Sequence, residues 1–176
     1  MSSRTKDRIA EKLFALLQEK PFDKITVKEL VETCDVTRQT FYYHFQDLFD
    51  VLEWSLQGQM ARVGASCMEE EDPIKALKIF VLNAFESSEA IIKLFESQHR
   101  GAIEQMMVEI VREYLRVVSV HDTKAVRIAE EDMEVALDFY TYAIVGTLLS
   151  ASMRGEKDAD RLAQQLYRLI YGSLTK

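Results

Sequence analysis

The chain has 176 residues, 48% of them hydrophobic and 29% charged, which is enough apolar material for one sizeable core or for a large core with a small head, and too much for wholesale disorder. A net charge of −7 does not make nucleic acid the default partner, but its distribution leaves room for one: residues 1–46 carry 8 Lys/Arg against 7 Asp/Glu, and residues 47–176 carry 14 against 22. With 2 prolines, 6 glycines and Leu, Glu, Ala, Lys and Arg recurring at three- and four-residue spacing, the chain reads as all-α. Cys34 and Cys67 stand alone with no CxxC spacing, which points to a reducing compartment and no disulfide framework. The opening "MSSRTKDRIAEKLF" mixes acids and bases on a helical pattern, unlike a signal peptide. No apolar run is expected to reach the roughly 18 residues of a membrane span, so a soluble cytoplasmic protein with no membrane partner is expected.

In chain order, the first helix is predicted over about Thr5–Glu19, with Ile9, Leu13, Leu16 and Leu17 in one apolar stripe. Pro21 ends it, and Phe22 and Ile25 plug the junction. Thr26 and Glu29 of "TVKE" form a capping box for a second helix whose inner face is Val27, Leu30, Val31 and Cys34. Asp35 follows at a tight turn, where it tolerates a left-handed backbone better than most residues. Thr37 caps a third helix, in which Phe41 and Phe45 share the inward face while Gln39 and Tyr43 point away, flanked by Thr40 and Tyr42. Two short helices about a tight turn, the second with a hydrogen-bonding outer face, describe a helix-turn-helix whose second helix enters the DNA major groove.

A fourth helix is expected over about Asp47–Ser66. The acidic linker "MEEEDP" precedes a fifth, with Asp72 as cap and Pro73 at the first helical position, ending near Ser88. "EAIIKLFES" is a short sixth, and a seventh runs from Gly101 to about Ser119. After the loop "SVHDTKA", a long eighth spans Ala129–Met153 and stops at Gly155. Asp158 or Asp160 begins a ninth, ending near Ser173. The architecture is a helix-turn-helix head, residues 1–46, on a helical body, residues 47–176, of about nine helices in total.

The stretch "ITVKELVETCDVTRQTFYYHFQDLFDVLEW" resembles the TetR/AcrR family of bacterial transcription regulators. The family's pattern falls on Thr26, Val27, Leu30 and Val31, then Val36 and Thr37, then Thr40, Phe41, Tyr42, His44 and Phe45. "FYYHFQDLFDVLEW" and "FYTYAIVGTLLSASMRG" also look like its dihydroxyacetone-operon activator subgroup. Two departures stand out. Asp35 replaces the usual turn glycine. Leu48 replaces a lysine that commonly contacts phosphate, and with Phe49 it is expected to pack between head and body.

The resemblance implies a double-stranded DNA operator as partner. Arg38 is matched chemically to guanine O6/N7 and Gln39 to adenine N6/N7, with Tyr43 against sugar or a thymine methyl. Thr26, Thr37, Tyr42 and His44 are phosphate candidates beside two helix N-termini, and Thr40 suits either role. Arg4 and Lys6 are expected in a flexible arm near the backbone or minor groove.

The body is expected to hold a homodimer interface and an effector site, the effector being a small molecule or a protein. Ala143, Gly146, Thr147 and Ser150 would admit a close neighbouring helix. Leu162, Leu166, Leu169 and Ile170, with Tyr167 and Tyr171 alongside, form an apolar stripe. In the resembled family these last two helices pair with their copies, and the competing reading is that both stripes pack within one chain. Phe80, Phe85, Phe95, Met106, Met107, Tyr114 and Tyr140 are candidate pocket residues, set against a plain role in the core.

Catalysis is not expected. His44, His99 and His121 are scattered, and HExxH, GxGxxG, P-loop and GxSxG patterns are absent, so no metal and no cofactor is assigned. Glu134 and Asp138 have metal-ligand spacing on a helix but lack an accompanying ExxH. The alternative to a regulator is a helical adaptor or co-activator whose head has lost sequence-specific DNA binding.

Overall fold

A computed structural model describes residues 2–121 and 129–171, with side chains over 4–116 and 129–170. Among the described residues there are nine α-helices, two 3₁₀ turns and no strand. The helices are α1 (Ser2–Glu19), α2 (Val27–Thr33), α3 (Arg38–His44), α4 (Leu48–Glu69), α5 (Pro73–Glu86), α6 (Ser88–Phe95), α7 (Arg100–His121), α8 (Met133–Met153) and α9 (Ala159–Tyr171); the 3₁₀ turns are Phe22–Lys24 and Glu130–Asp132. Part of the expected loop at 119–125, the side chains of His121 and Tyr171, and the expected end near Ser173 lie outside the described residues.

Local chemistry sets several helix ends. Thr26 accepts from the Glu29 amide at 3.2 Å and Thr37 from the Thr40 amide at 3.0 Å, both from extended backbone. Asp47 accepts from the Asp50 amide at 3.0 Å while the Asp50 carboxylate accepts from the Gln46 amide at 2.9 Å, a reciprocal cap on α4. Asp72 caps α5 with Pro73 just inside. Of the two candidates for α9, Asp158 is the cap, accepting from the Arg161 amide at 2.9 Å. At the end of α8, Gly155 takes φ +70°, and Glu156 N–H and Gly155 N–H close back on the Ala151 and Ser152 carbonyls.

The chain divides into two compact units, residues 1–59 with 89–106, and residues 60–88 with 107–176. In the first, Ile9, Leu13, Leu16 and Leu17 of α1 meet Phe22, Ile25, Leu30, Val31, Phe41 and Phe45, all buried. Each such side chain contributes about 1.5–3 kcal/mol by leaving water. Val51 and Leu52 of α4, Leu94 of α6 and Ile103 of α7 are buried in the same unit. Arg4 and Lys6 lie within α1, not in a free arm, and the Lys6 ammonium sits 4.1 Å from the Trp54 ring centroid and 5.1 Å from that of Phe45. Phe49, expected between head and body, packs edge-on to Phe22 at 5.0 Å and to His99 at 5.1 Å, so it touches one residue of the expected head (1–46) and one of the expected body (47–176), both of which fall in its own compact unit.

In the second unit α5 lies along α9 and also meets α8. Val81, Val111, Ile144, Val145, Leu148, Ala151, Ala159, Leu162 and Leu166 form one core, flanked by Met60, Phe80, Phe85, Leu115 and Ile170. Gly64 lets α4 approach Tyr114, since a Cβ there would lie 2.7 Å from the ring. Arg112 on α7 binds Asp138 at 2.8 Å and also Glu134, and Arg116 reaches Glu134 at 3.5 Å. Glu134 and Asp138 therefore serve an ion-pair brace, and among the described residues no His/Cys/Asp/Glu group is arranged to hold a metal.

The expectation that no run is apolar enough for a membrane span is not met by length and composition alone. The segment Glu130–Met153 is long and apolar enough by composition to cross a membrane. The reason is that α8 is apolar on both sides: Leu137, Ile144, Val145 and Leu148 face the core, while Val135, Phe139, Tyr142 and Met153 are exposed.

Candidate nucleic-acid interface

The turn between α2 and α3 explains how the outer face of α3 is presented. Asp35 adopts φ +52°, the one non-glycine residue with positive φ among those described. Val36 N–H closes on the Val31 carbonyl at 3.0 Å and Asp35 N–H on the Glu32 carbonyl at 3.3 Å, so the helix stops and reverses within two residues. Holding a β-carbon in that conformation costs about 1–2 kcal/mol, less for Asp than for most residues. The Glu29 carboxylate does not reach back to the α2 cap; it pairs with Lys20 instead, tying the end of α1 to α2.

Phe41 and Phe45 are buried, with ring centroids 6.0 Å apart, and they fix the roll of α3. Tyr43 is then 81% exposed and Tyr42 58%. Thr26, Thr37, Arg38 and Gln39 are exposed, and Thr40 and His44 are half-buried. The structure thus places Arg38, Gln39, Tyr42 and Tyr43 on solvent-facing positions of one short helix. The Tyr42 ring leans edge-on against Phe41 at 5.3 Å, and Tyr43 stands edge-on to His44 at 4.9 Å. The Thr37 and Thr40 hydroxyls lie 2.9 Å apart, so Thr37 serves its own helix first and Thr40 shares its hydroxyl with the cap.

The other candidate residues separate. Phe80 and Tyr114 stack with parallel rings 6.1 Å apart, Phe85 packs on the neighbouring core, and Tyr140 lies edge-on to Phe139. Phe95, covered by the Arg100 guanidinium, and Met106 belong to the first unit, whereas Met107 opens a stretch of the second. On α8, Ala143 and Gly146 are exposed, Thr147 and Ser150 are half-buried, and nothing lies within 4 Å of a Cβ placed on Gly146. On α9 the apolar stripe is used mainly inside the chain: Leu162 and Leu166 are buried in the core and Ile170 packs against it. Leu169 alone of the four is turned out, 70% exposed. The stripe is filled mainly by the protein's own α5, with residues of α8 in the same core.

Sequence reasoning named the small residues of α8 and missed the larger ones beside them. Val135, Phe139, Tyr142 and Met153 are exposed and recur with Gly146 and Leu149 at alternating four- and three-residue steps. Alternating four- and three-residue steps of this kind can be read from the sequence without a structure.

The fold and this face define a helix-turn-helix regulator. Residues 9–48 match the family model described as bacterial regulatory proteins, tetR family, and residues 73–172 match one described as a transcriptional regulator C-terminal region. The chain belongs to the TetR family of DNA-binding transcriptional regulators. No match is found among curated proteins. Among solved structures, it is similar to the dihydroxyacetone kinase operon activator DhaS, with 19% identity and TM-score 0.72 over 97% of this chain and 96% of that one. A TetR/AcrR-family regulator from Aquifex aeolicus VF5 is similar at 17% identity and TM-score 0.58, over 95% and 99% of the two chains. The fatty acid degradation regulator FadR from Bacillus halodurans is similar at 18% identity and TM-score 0.59, over 97% and 96%. At these identities the likeness is one of fold.

Proposed function

We propose that the chain is a homodimeric, one-component regulator whose head, residues 1–46, reads a palindromic operator and whose body, residues 47–176, holds the dimer interface and the effector site. The observation that carries the reading is the outer face of α3. Arg38, Gln39, Tyr42 and Tyr43 stand in solvent on a helix rolled into place by Phe41 and Phe45, beside two threonine-capped helix N-termini. Arg38 and Gln39 have the donors and acceptors to address guanine and adenine edges, and Tyr43 the amphipathic ring for sugar or a thymine methyl. Thr26, Tyr42, His44 and the Thr37–Thr40 pair serve phosphate or position the helix.

Dimerisation is supported by the exposed α8 seam. Phe139 is 67% exposed and the seam flanks Gly146, where a second helix can come close. A twofold axis through paired α8 helices, with Leu169 of α9 at the edge, gives two heads for two half-sites. Sites for an effector, a small molecule or a protein, lie among the aromatic groups of the body, with Phe80 and Tyr114 the leading pair. Operator occupancy alone gives repression by excluding polymerase; activation requires a further contact with polymerase or a partner. The protein acts in the cytoplasm, where its DNA is, and performs no catalysis.

The test is selection of genomic fragments by the purified chain at stated salt. One enriched palindrome is expected, with Gln39→Ala and Tyr43→Ala each weakening it about tenfold or more. Recovery of non-specific DNA alone would favour an adaptor that keeps the head fold without its reading function.

A further inference from the structure

We infer that Asp23 and Ser97 are positioning residues that couple the turn between α6 and α7 to the reading helix. This rests on the DNA-reading role of α3 proposed above. Asp23 lies in the 3₁₀ turn between α1 and α2, 74 positions from Ser97 in sequence. One carboxylate oxygen accepts from the Ser97 hydroxyl at 2.6 Å, and the other accepts from the Gln98 amide at 3.0 Å. The same Ser97 oxygen accepts from the His99 amide at 3.0 Å. Ser97 is buried, and its hydroxyl is satisfied as donor and acceptor through this arrangement.

Two further contacts join the same pieces. The Lys93 ammonium of α6 donates to the Gln18 carbonyl near the end of α1. The Phe49 ring stands edge-on to Phe22, next to Asp23, and to His99, next to the bonded Gln98 amide. Hydrogen bonds to its carboxylate, from Ser97 first and then Gln98, hold Asp23 below the ordinary aspartate range, as expected if the charged form makes the latch.

The chain of contacts continues to α3. The latched 3₁₀ turn leads directly into Thr26 and α2, the Lys20–Glu29 pair ties the end of α1 to α2, and the left-handed Asp35 sets α3 on α2. The links form one contiguous path of hydrogen bonds, an ion pair and a tight turn from residues 97–99 to the reading face. Linkage is reciprocal: if movement of this turn alters DNA affinity, DNA binding must alter the stability of the turn. That consequence can be measured without knowing any effector.

The experiment is hydrogen exchange on the full chain, free and with the most enriched selected fragment, using a scrambled fragment at the same salt as control. In the free protein, Asp23→Ala should speed exchange across residues 96–104 by about tenfold, the scale for losing hydrogen bonds to a charged group. Asp23→Asn, which keeps one acceptor, should fall between. In the wild type, specific DNA should slow exchange in both α3 and residues 96–104. In Asp23→Ala, protection of α3 should persist while that of residues 96–104 is lost. Equal protection of residues 96–104 in both proteins would overturn the coupling, as would unchanged exchange in free Asp23→Ala. If specific DNA fails to protect α3 in the wild type, the DNA-reading role itself falls, and the coupling with it.

Discussion

α3 and α8 both leave large side chains in water, but of different kinds. α3 exposes Tyr42 and Tyr43, whose rings end in hydroxyls, beside Arg38 and Gln39. α8 exposes Val135, Phe139 and Met153, which have no polar tip, with Tyr142 among them. A surface of rings with hydrogen-bonding ends suits a wet, charged ligand such as DNA, where interfaces keep water. A surface of aliphatic and phenyl groups suits a dry partner that buries it. The same crude feature, exposed aromatic residues, thus suits opposite kinds of partner in the two regions.

The largest expected effect removes the scaffold behind the α3 face. Phe41→Ala should cost about 3–5 kcal/mol of stability, measured by denaturant unfolding, because a large buried ring leaves a cavity. A loss below about 1 kcal/mol would mean that Phe41 does not set the roll of α3.

Next, Phe139→Glu should weaken self-association by at least about 2 kcal/mol, some thirtyfold, as expected for a central aromatic anchor. Sedimentation should show monomer at concentrations where the wild type is dimeric, with unfolding unchanged. A dimer that survives intact would remove α8 from the interface. Gln39→Ala should affect operator binding and leave self-association alone, while Phe139→Glu should weaken operator binding only through the loss of paired heads. Reversal of that pattern would break the contrast between the two faces.

Smaller effects sharpen the turn. Asp35→Ala should destabilise by about 1 kcal/mol because Ala tolerates positive φ poorly, whereas Asp35→Gly should be neutral or stabilising by thermal unfolding. If both variants lose stability equally, the Asp35 side chain matters more than its backbone.

The smallest effect is the pH response of the latch. Asp23 titrates below the ordinary aspartate value in the folded chain, with the Ser97 and Gln98 bonds dominant and the nearby His99 and Lys24 charges adding to them. A lowered folded pKa means that its stabilisation is present above the unfolded value near 3.8 and is lost as pH falls through the folded one. The stability difference between wild type and Asp23→Ala should therefore be flat from neutral pH to about 5 and shrink below 4. A difference that is still changing well above pH 5 would mean that ionisation of Asp23 does not set the latch.

Much of the fold was legible where it is built from local rules. Thr26, Thr37, Asp72 and Gly155 act within a few residues of where they stand, and so does the left-handed Asp35. The outer face of α3 followed from the same rules, since the positions of Phe41 and Phe45 determine which way Tyr42 and Tyr43 turn. The errors came where the partner was distant in sequence. Glu29 goes to Lys20 and not to its own helix cap, and Lys6, within α1 and not in a free arm, sits over Trp54. Leu162 and Leu166 show the limit most clearly, because an apolar stripe has the same pattern whether it meets the chain's own α5 or another molecule.

The sequence by itself determined the helices, their caps, the helix-turn-helix and the outward chemistry of α3, because spacing along one helix converts directly into direction in space. Only the tertiary structure decided which apolar stripes were already occupied, which charges were already paired, and that Asp23 holds the turn at Ser97. Those outcomes depend on which distant segments meet, and residue spacing within a helix carries no information about that.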